Sequence, residues 1–264
     1  MSVIIKQPSV AGFFYPADPA ELKQMVSTLL AAARPISLNS PPKAVIVPHA
    51  GLVYSGSTAA LVYNALAPFK QHYKKIVLLA PAHRFLIHGI AYHAATQFAS
   101  PLGLIEVETA LLRKISACSR VENINQAFEG EHALEVQFPF LQAIFSDYKI
   151  VPLLVGNTPS ETVEGVLQTI RDESDTLILI SSDLSHYLQY DAAKAIDQKT
   201  IHSILALDSG SIQPNQACGS ISVKAYLNFA KKNKLQAQCL GACNSGDTVG
   251  SKDRVVGYGS FCFV

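Results

Sequence analysis

Asp175-Thr-Leu-Ile-Leu-Ile-Ser-Ser-Asp-Leu-Ser-His186 is the stretch on which the fold turns. Its run from Leu177 to Ile180 is apolar at every position, with no polar alternation, so both faces of the strand must be covered. The strand then opens into a polar loop that carries Asp183 and His186. Two earlier stretches repeat this layout. Ala44-Val-Ile-Val47 leads through Pro48 to His49, and Lys75-Ile-Val-Leu-Leu79 leads through Ala80-Pro-Ala to His83. Helical patterns separate these strands, at Ala20 to Ala33, Ser57 to Leu66, Thr109 to Ser116 and Glu161 to Asp172. Strands alternating with helices predict right-handed βαβ units, hence an α/β fold with a mainly parallel central sheet flanked by helices.

Further along, Leu102 to Val107 reads as a strand and Ala133 to Phe145 as a helix that Pro139 should kink or divide. Lys149 to Val155 reads as a strand whose Pro152 suggests an edge or a bulge. Two long helical patterns follow, Ala192 to Leu207 and Pro214 to Lys231. The last strands are Gln236 to Ala242 and Arg254 to Val264. No internal repeat, low-complexity tract or long linker divides the chain, so residues 1–264 read as a single domain.

The totals fit that class. Of 264 residues, 49% are hydrophobic and only 16% charged, as expected where a sheet is buried on both sides. A net charge of +1 without Lys/Arg runs gives no footprint for nucleic acid. The longest apolar runs are strand-length, far short of the roughly 20 residues of a membrane helix. The opening segment has no charged region followed by a long apolar core, so the expectation is a cytoplasmic protein. Five scattered cysteines, Cys118, Cys218, Cys239, Cys243 and Cys262, read mostly as buried reduced thiols and offer no zinc-finger spacing.

In an open α/β sheet, ligands bind outside the carboxyl ends of the strands. Parallel strands put those ends on one rim, so the loops bearing His49, His83 and Asp183–His186 should meet there. Neutral imidazole suits iron, zinc and copper, and a catalytic site commonly uses three protein ligands with open positions. His49 and His83 are the first two candidates. The third can be Asp183, His186 or a residue of the loop from Gly241 to Asp247, which includes Cys243. Asp183 and His186 fit a general acid/base with its orienting carboxylate, or equally a capped turn. His132 and Glu135 would share a helix face, with His132 either lining the pocket or belonging to a capped helix start. His72, His88, His93 and His202 read as ordinary surface or core residues.

A serine hydrolase finds no support, because no G-x-S-x-G elbow occurs. Neither a G-x-G-x-x-G nor a Walker A loop is present, so nucleotide binding through those motifs is excluded. Three functions remain open: a metal-dependent oxidoreductase, a metal- or peptide-binding scaffold, and a metal-assisted hydrolase.

Motifs spread over nearly the whole chain resemble the Memo family, known in prokaryotes as AmmeMemoRadiSam system protein B. They include Ser9-Val-Ala-Gly-Phe-Phe-Tyr-Pro-Ala-Asp-Pro19, Val47-Pro-His-Ala-Gly-Leu-Val-Tyr-Ser-Gly56, Ala80-Pro-Ala-His83, Glu131-His-Ala-Leu-Glu-Val-Gln-Phe-Pro-Phe-Leu141, Ser181-Ser-Asp-Leu-Ser-His-Tyr187 and Val255-Val-Gly-Tyr-Gly-Ser260. The resemblance implies a fold similar to LigB-type class III extradiol dioxygenases, which hold non-haem Fe(II). By motif it implies His49 and His83 as metal ligands and Cys243 as the third, with His186 as the acid/base or a pocket histidine and Asp183 beside it. Fe(II) is the first cofactor expected, with Zn or Cu as alternatives. The expected ligand is a small-molecule substrate or a peptide in the pocket. AMMECR-type and radical-SAM proteins are the partners implied by family association. The absence of a third carboxylate in the motif set weighs against ring cleavage itself.

Overall fold

The computed structural model describes residues 3–264. In chain order the elements are β1 (Ile5–Lys6), α1 (Pro19–Ala32), β2 (Ala44–Val47), α2 (Leu52–Leu66), β3 (Lys75–Pro81) and β4 (Ile90–Tyr92). Next come β5 (Gln97–Ser100), β6 (Gly103–Glu106), α3 (Thr109–Ser116), β7 (Val121–Asn123), α4 (Phe138–Ile144) and β8 (Lys149–Val155). The last are α5 (Ser160–Thr169), β9 (Thr176–Ser181), β10 (His186–Leu188), α6 (Tyr190–Leu205), α7 (Ser220–Lys232), β11 (Ala237–Asn244) and β12 (Val255–Phe263).

The centre of the nine-stranded sheet is four parallel strands in the order β2-β9-β3-β8. The expected parallel arrangement holds there, and the sheet as a whole is mixed. On one side β12 joins β2 antiparallel and carries β10 and β11, also antiparallel. On the other side β4 runs antiparallel to β8 and parallel to β7. A ten-residue connection between β11 and β12 is too short for a helical crossover, so that pair must reverse direction. A small three-stranded sheet, β1-β5-β6, lies apart.

Both faces of the central strands are buried, which is why they read as unbroken apolar runs. Val45, Val47, Ile76 and Leu78 face a core shared with α1, α2 and α4. Their sequence neighbours Ala44, Ile46, Val77 and Leu79 face the opposite core, shared with α3, α5 and α7. The period of two therefore sorts residues between two cores rather than between core and water.

Two proline expectations change. Pro152 lies inside the sheet, in register with Leu78 of β3. Ile150 O and Gly156 N both bond toward the β4 side, so the intervening Pro152 nitrogen faces that side too. There β4 has already ended, its last pair being Tyr92 with Leu153, so no ladder bond is lost. Pro139 is at the second position of α4, after a 3-10 turn over Glu135–Gln137, and so begins a helix instead of kinking one.

Candidate metal centre

The three strands that end in histidine-bearing loops are neighbours, β2 and β3 flanking β9. Val47 pairs with Ser181, and two residues further along each chain His49 meets Asp183. The backbone N–H of His49 donates to Asp183 Oδ1 at 2.7 Å, tying the two loops together. From the next strand, β3, the chain delivers His83, whose backbone N–H donates to Glu131 Oε2 at 2.6 Å. Glu131 and His132 arrive from the connection between β7 and α4, so a fourth segment closes the rim.

His49, His83 and His132 form one group, each offering a ligand atom within 4.8 Å of the others. The ring centroids of His49 are 5.3 Å from both partners, and His83 and His132 stack at 4.8 Å. Phe14 stacks on His132 at 4.3 Å, which fixes that ring from outside.

The hydrogen bonds settle which ring nitrogens are free. Ser181 Oγ donates to Ala133 O at 2.6 Å, so its single proton is used. Gln137 Nε2 donates to Ser181 Oγ at 2.9 Å, and His49 Nδ1, also 2.9 Å from that hydroxyl oxygen, must be a donor too. His49 therefore carries its proton on Nδ1 and leaves the Nε2 lone pair available. His83 Nδ1 lies 3.0 Å from Glu131 Oε1, an oxygen that only accepts when ionised, which assigns the same tautomer to His83. His186 Nδ1 donates to Leu184 O at 2.8 Å, with the same result. A partner on Nδ1 that orients the ring and leaves Nε2 for an ion is the usual arrangement around metal-binding histidines.

Charge is arranged to match. Burial, followed by the neighbouring His83 and His132, pushes the His49 imidazole well below its ordinary value, so it is neutral and ligand-ready. Burial alone would raise Glu131. Hydrogen bonds from His132 and His83, with the backbone N–H of Ala133, overcome it and hold the carboxylate ionised far below its usual range. Burial raises Asp183, opposed chiefly by the His49 backbone N–H.

The side chains expected at the site divide. His49, His83, His132, Asp183 and His186 all line one open cleft of about 1160 Å³. Cys243 lies in β11 opposite Tyr258 of β12, with its Sγ 3.0 Å from Thr58 Oγ1, and is not among the residues lining the cleft. Cys218 is there instead, with Sγ 3.3 Å from His49 Nε2 and 3.2 Å from the Asp183 backbone nitrogen that donates to it. Burial, then the Asp183 charge, raises the Cys218 thiol. The sequence reading placed residue 218 inside a helix starting at Pro214. The helix starts only at Ser220, and the preceding Ala217-Cys218-Gly219 is loop that turns the thiol inward. Glu131, Ser181 and Gln137 were also not recognised as supports. The signal for Glu131 was its place directly before His132.

The residues fit a metal. Three imidazoles converge, two with their Nδ1 protons committed to Ser181 and Glu131, and Cys218 adds a softer donor beside them. Glu131 is not free to complete a two-histidine, one-carboxylate set. Glu131 accepts four N–H groups, from His83 N and Nδ1, His132 N and Ala133 N. Asp183 Oδ1 is taken by His49 N–H.

Fold and site together define an α/β protein with a histidine-lined cleft at the carboxyl rim of its parallel strands. A family model described as Memo-like protein matches residues 6–262, and the chain belongs to that family. It is 32% identical to a MEMO1 family protein of Nitrosopumilus maritimus, over 99% of this chain and 100% of the relative. It is 33% identical to one from Aquifex aeolicus, over 98% and 99%. Among solved structures, an uncharacterized protein from Escherichia coli K12 superposes with a TM-score of 0.56 at 13% identity, over 83% of this chain and 98% of that one. That likeness establishes a shared fold. No helix among the described residues is long and apolar enough to cross a membrane.

Proposed function

We propose that the cleft is the active site of a metal-dependent enzyme acting on a small molecule, with Fe(II) as the first candidate ion and oxidoreductase chemistry as the reaction class. The observation that carries this reading is the convergence of His49, His83 and His132, with ligand atoms within 4.8 Å. These three would hold the ion, and Cys218 stands beside His49 Nε2 as a further donor. A bound transition ion supplies open coordination positions and polarises a substrate oxygen.

The chain's own groups have separate tasks. His186, with Nδ1–H committed to Leu184 O, keeps Nε2 as the atom that takes or gives a proton. Asp183 positions the site, because its oxygen holds the His49 loop. Phe14 stacks on His132 and holds its ring in place. The test is metal content after anaerobic purification. Wild type is expected to hold close to one iron per chain and His49→Ala very little; equal, near-zero metal in both would remove the ligand assignment. Oxygen uptake with catechols, absent in a His186→Ala variant that retains metal, tests the oxidoreductase part.

The donor set favours one second reading. Three imidazoles also suit zinc, which would direct the same cleft to hydrolysis of an ester or amide. Zinc content and oxygen-independent ester cleavage would select it. The proposal includes cytoplasmic residence and the AMMECR-type and radical-SAM partners of the family association, for which co-purification is the test.

A further inference from the structure

Two guanidinium groups stand in the wall of the metal cleft, and the metal reading gives neither a task. Arg84 follows His83 directly, and Arg254 precedes β12 on the opposite side of the sheet order. Both line the same cleft. Among the described residues, neither forms an ion pair.

Each arginine is exposed and lies against one neighbouring surface. Gly130, at φ +70°, keeps its surface bare beneath Arg84; a Cβ there would stand 3.4 Å from Arg84 Cδ and 3.7 Å from Nε. The Arg254 guanidinium carbon sits 5.3 Å from the ring centroid of Tyr187. Tyr187 itself adopts φ +58°, a left-handed conformation costly for a side chain of that size, and is largely exposed. A guanidinium without a carboxylate partner retains its forked donors for an incoming oxyanion.

The rest of the lining completes the picture. Asp183 is the acidic residue of the cleft wall, and its Oδ1 already accepts the His49 N–H. The wall therefore sets two fixed cations, Arg84 and Arg254, against one acidic lining residue, while Phe14 and Tyr54 offer flat apolar surface.

We infer that Arg84 and Arg254 are the substrate-recognition pair of this cleft, and that its ligand is a small molecule with a flat apolar body and a carboxylate or phosphate group. This rests on the cleft being the ligand site proposed above, but the arginines bind the anionic group whether or not an ion is loaded. Guanidinium forks recognise both oxyanions, so the headgroup is the shared chemistry and the measurement separates the two sources.

The experiment is calorimetric titration of the full chain with benzoate, phenyl phosphate and the neutral benzamide, alongside metal content and melting temperature. Wild type, Arg84→Gln, Arg254→Gln and the double variant are compared. Benzoate or phenyl phosphate is expected to bind, benzamide much more weakly. Each single variant should lose about tenfold, and the double variant should no longer distinguish anion from benzamide. Anion affinity should also fall as salt is raised. Melting temperatures within a degree or two of wild type show that the variants fold. Equal binding of benzoate and benzamide by wild type, or anion binding untouched in the double variant, overturns the inference. His49→Ala separates this inference from the metal reading: lost metal with retained, arginine-dependent anion binding supports both. Unaltered metal content with that binding retained sinks the ligand assignment alone.

Discussion

His49 Nδ1 lies 2.9 Å from Ser181 Oγ, and that contact fixes which nitrogen of His49 is free for an ion. The hydroxyl has no proton to spare, because Ala133 O takes it. Ser181→Ala would release the imidazole to either tautomer and leave Gln137 Nε2 with one partner, Pro48 O. The expected result is metal affinity weaker by about ten- to a hundredfold, with all three histidines still present. Competition with a chelator of known affinity reads this directly. Unaltered affinity would mean that Ser181 does not orient the ring.

The two cysteines give a second comparison. Cys218→Ser and Cys243→Ser remove thiols of similar burial from different surroundings, one against His49 and one against Thr58. Cys243→Ser should retain its metal, and Cys218→Ser should lose affinity. Metal analysis of the two proteins purified side by side decides it, and the reverse order would return the third-ligand role to β11.

Glu131 is the buried acceptor that aligns His83 and the chain leading to His132. A glutamine there keeps one acceptor oxygen and adds an NH₂ facing groups that also donate. Glu131→Gln should therefore destabilise the fold by about 2–4 kcal/mol in urea titrations, and should weaken metal binding as well. Normal stability would show that the four N–H contacts at this carboxylate have substitutes.

Much of this arrangement was legible in the chain. Unbroken apolar runs ending at His49, His83 and His186 gave the parallel strands, and strand direction then required the three loops to share a rim. The flanking antiparallel strands were harder to see, because β4, β7 and β10 have three residues each, too few to show a period. The supports of the site were less visible still. Ser181, Gln137 and Glu131 act through contacts that span 44 to 132 residues, and local pattern carries no trace of such pairings. Cys218 was hidden by a helix start placed six residues too early, since Pro214 resembled the first residue of a helix.

Asp197 offers a pH test away from the imidazoles of the metal group. It is buried on α6 and accepts the Ser185 backbone N–H at 3.0 Å. Burial holds its carboxyl above the ordinary value, with the Ser185 hydrogen bond opposing. A carboxyl whose folded value is raised binds its proton more tightly in the native state. Stability from this group is thus present below the unfolded value of about 3.9 and is lost as pH rises through the folded value. Asp197→Asn keeps an acceptor for Ser185 and carries no charge. Its melting temperature should exceed that of wild type at pH 7.5, and the difference should close as pH falls toward 4. A difference that widens on acidification would refute the assignment.

Gly219 tests how Cys218 reaches His49. A Cβ at this position would stand 2.7 Å from Ser182 Cβ and 3.1 Å from Ser181 O, so the glycine lets the start of α7 press against the loop after β9. Its backbone N–H also donates to Ser182 Oγ at 2.9 Å, which fixes the approach. Gly219→Ala must push the two segments apart by several tenths of an ångström. The imidazoles are carried by other segments and stay where they are, but the thiol just before α7 moves with it. The cost in stability should be about 1–3 kcal/mol, as for other overpacked contacts. Metal affinity should fall toward that of Cys218→Ser, and the double variant should be no weaker than Cys218→Ser alone, because both changes act through the same sulfur. Additive losses in the double variant would show that Gly219 serves the site by a route other than Cys218.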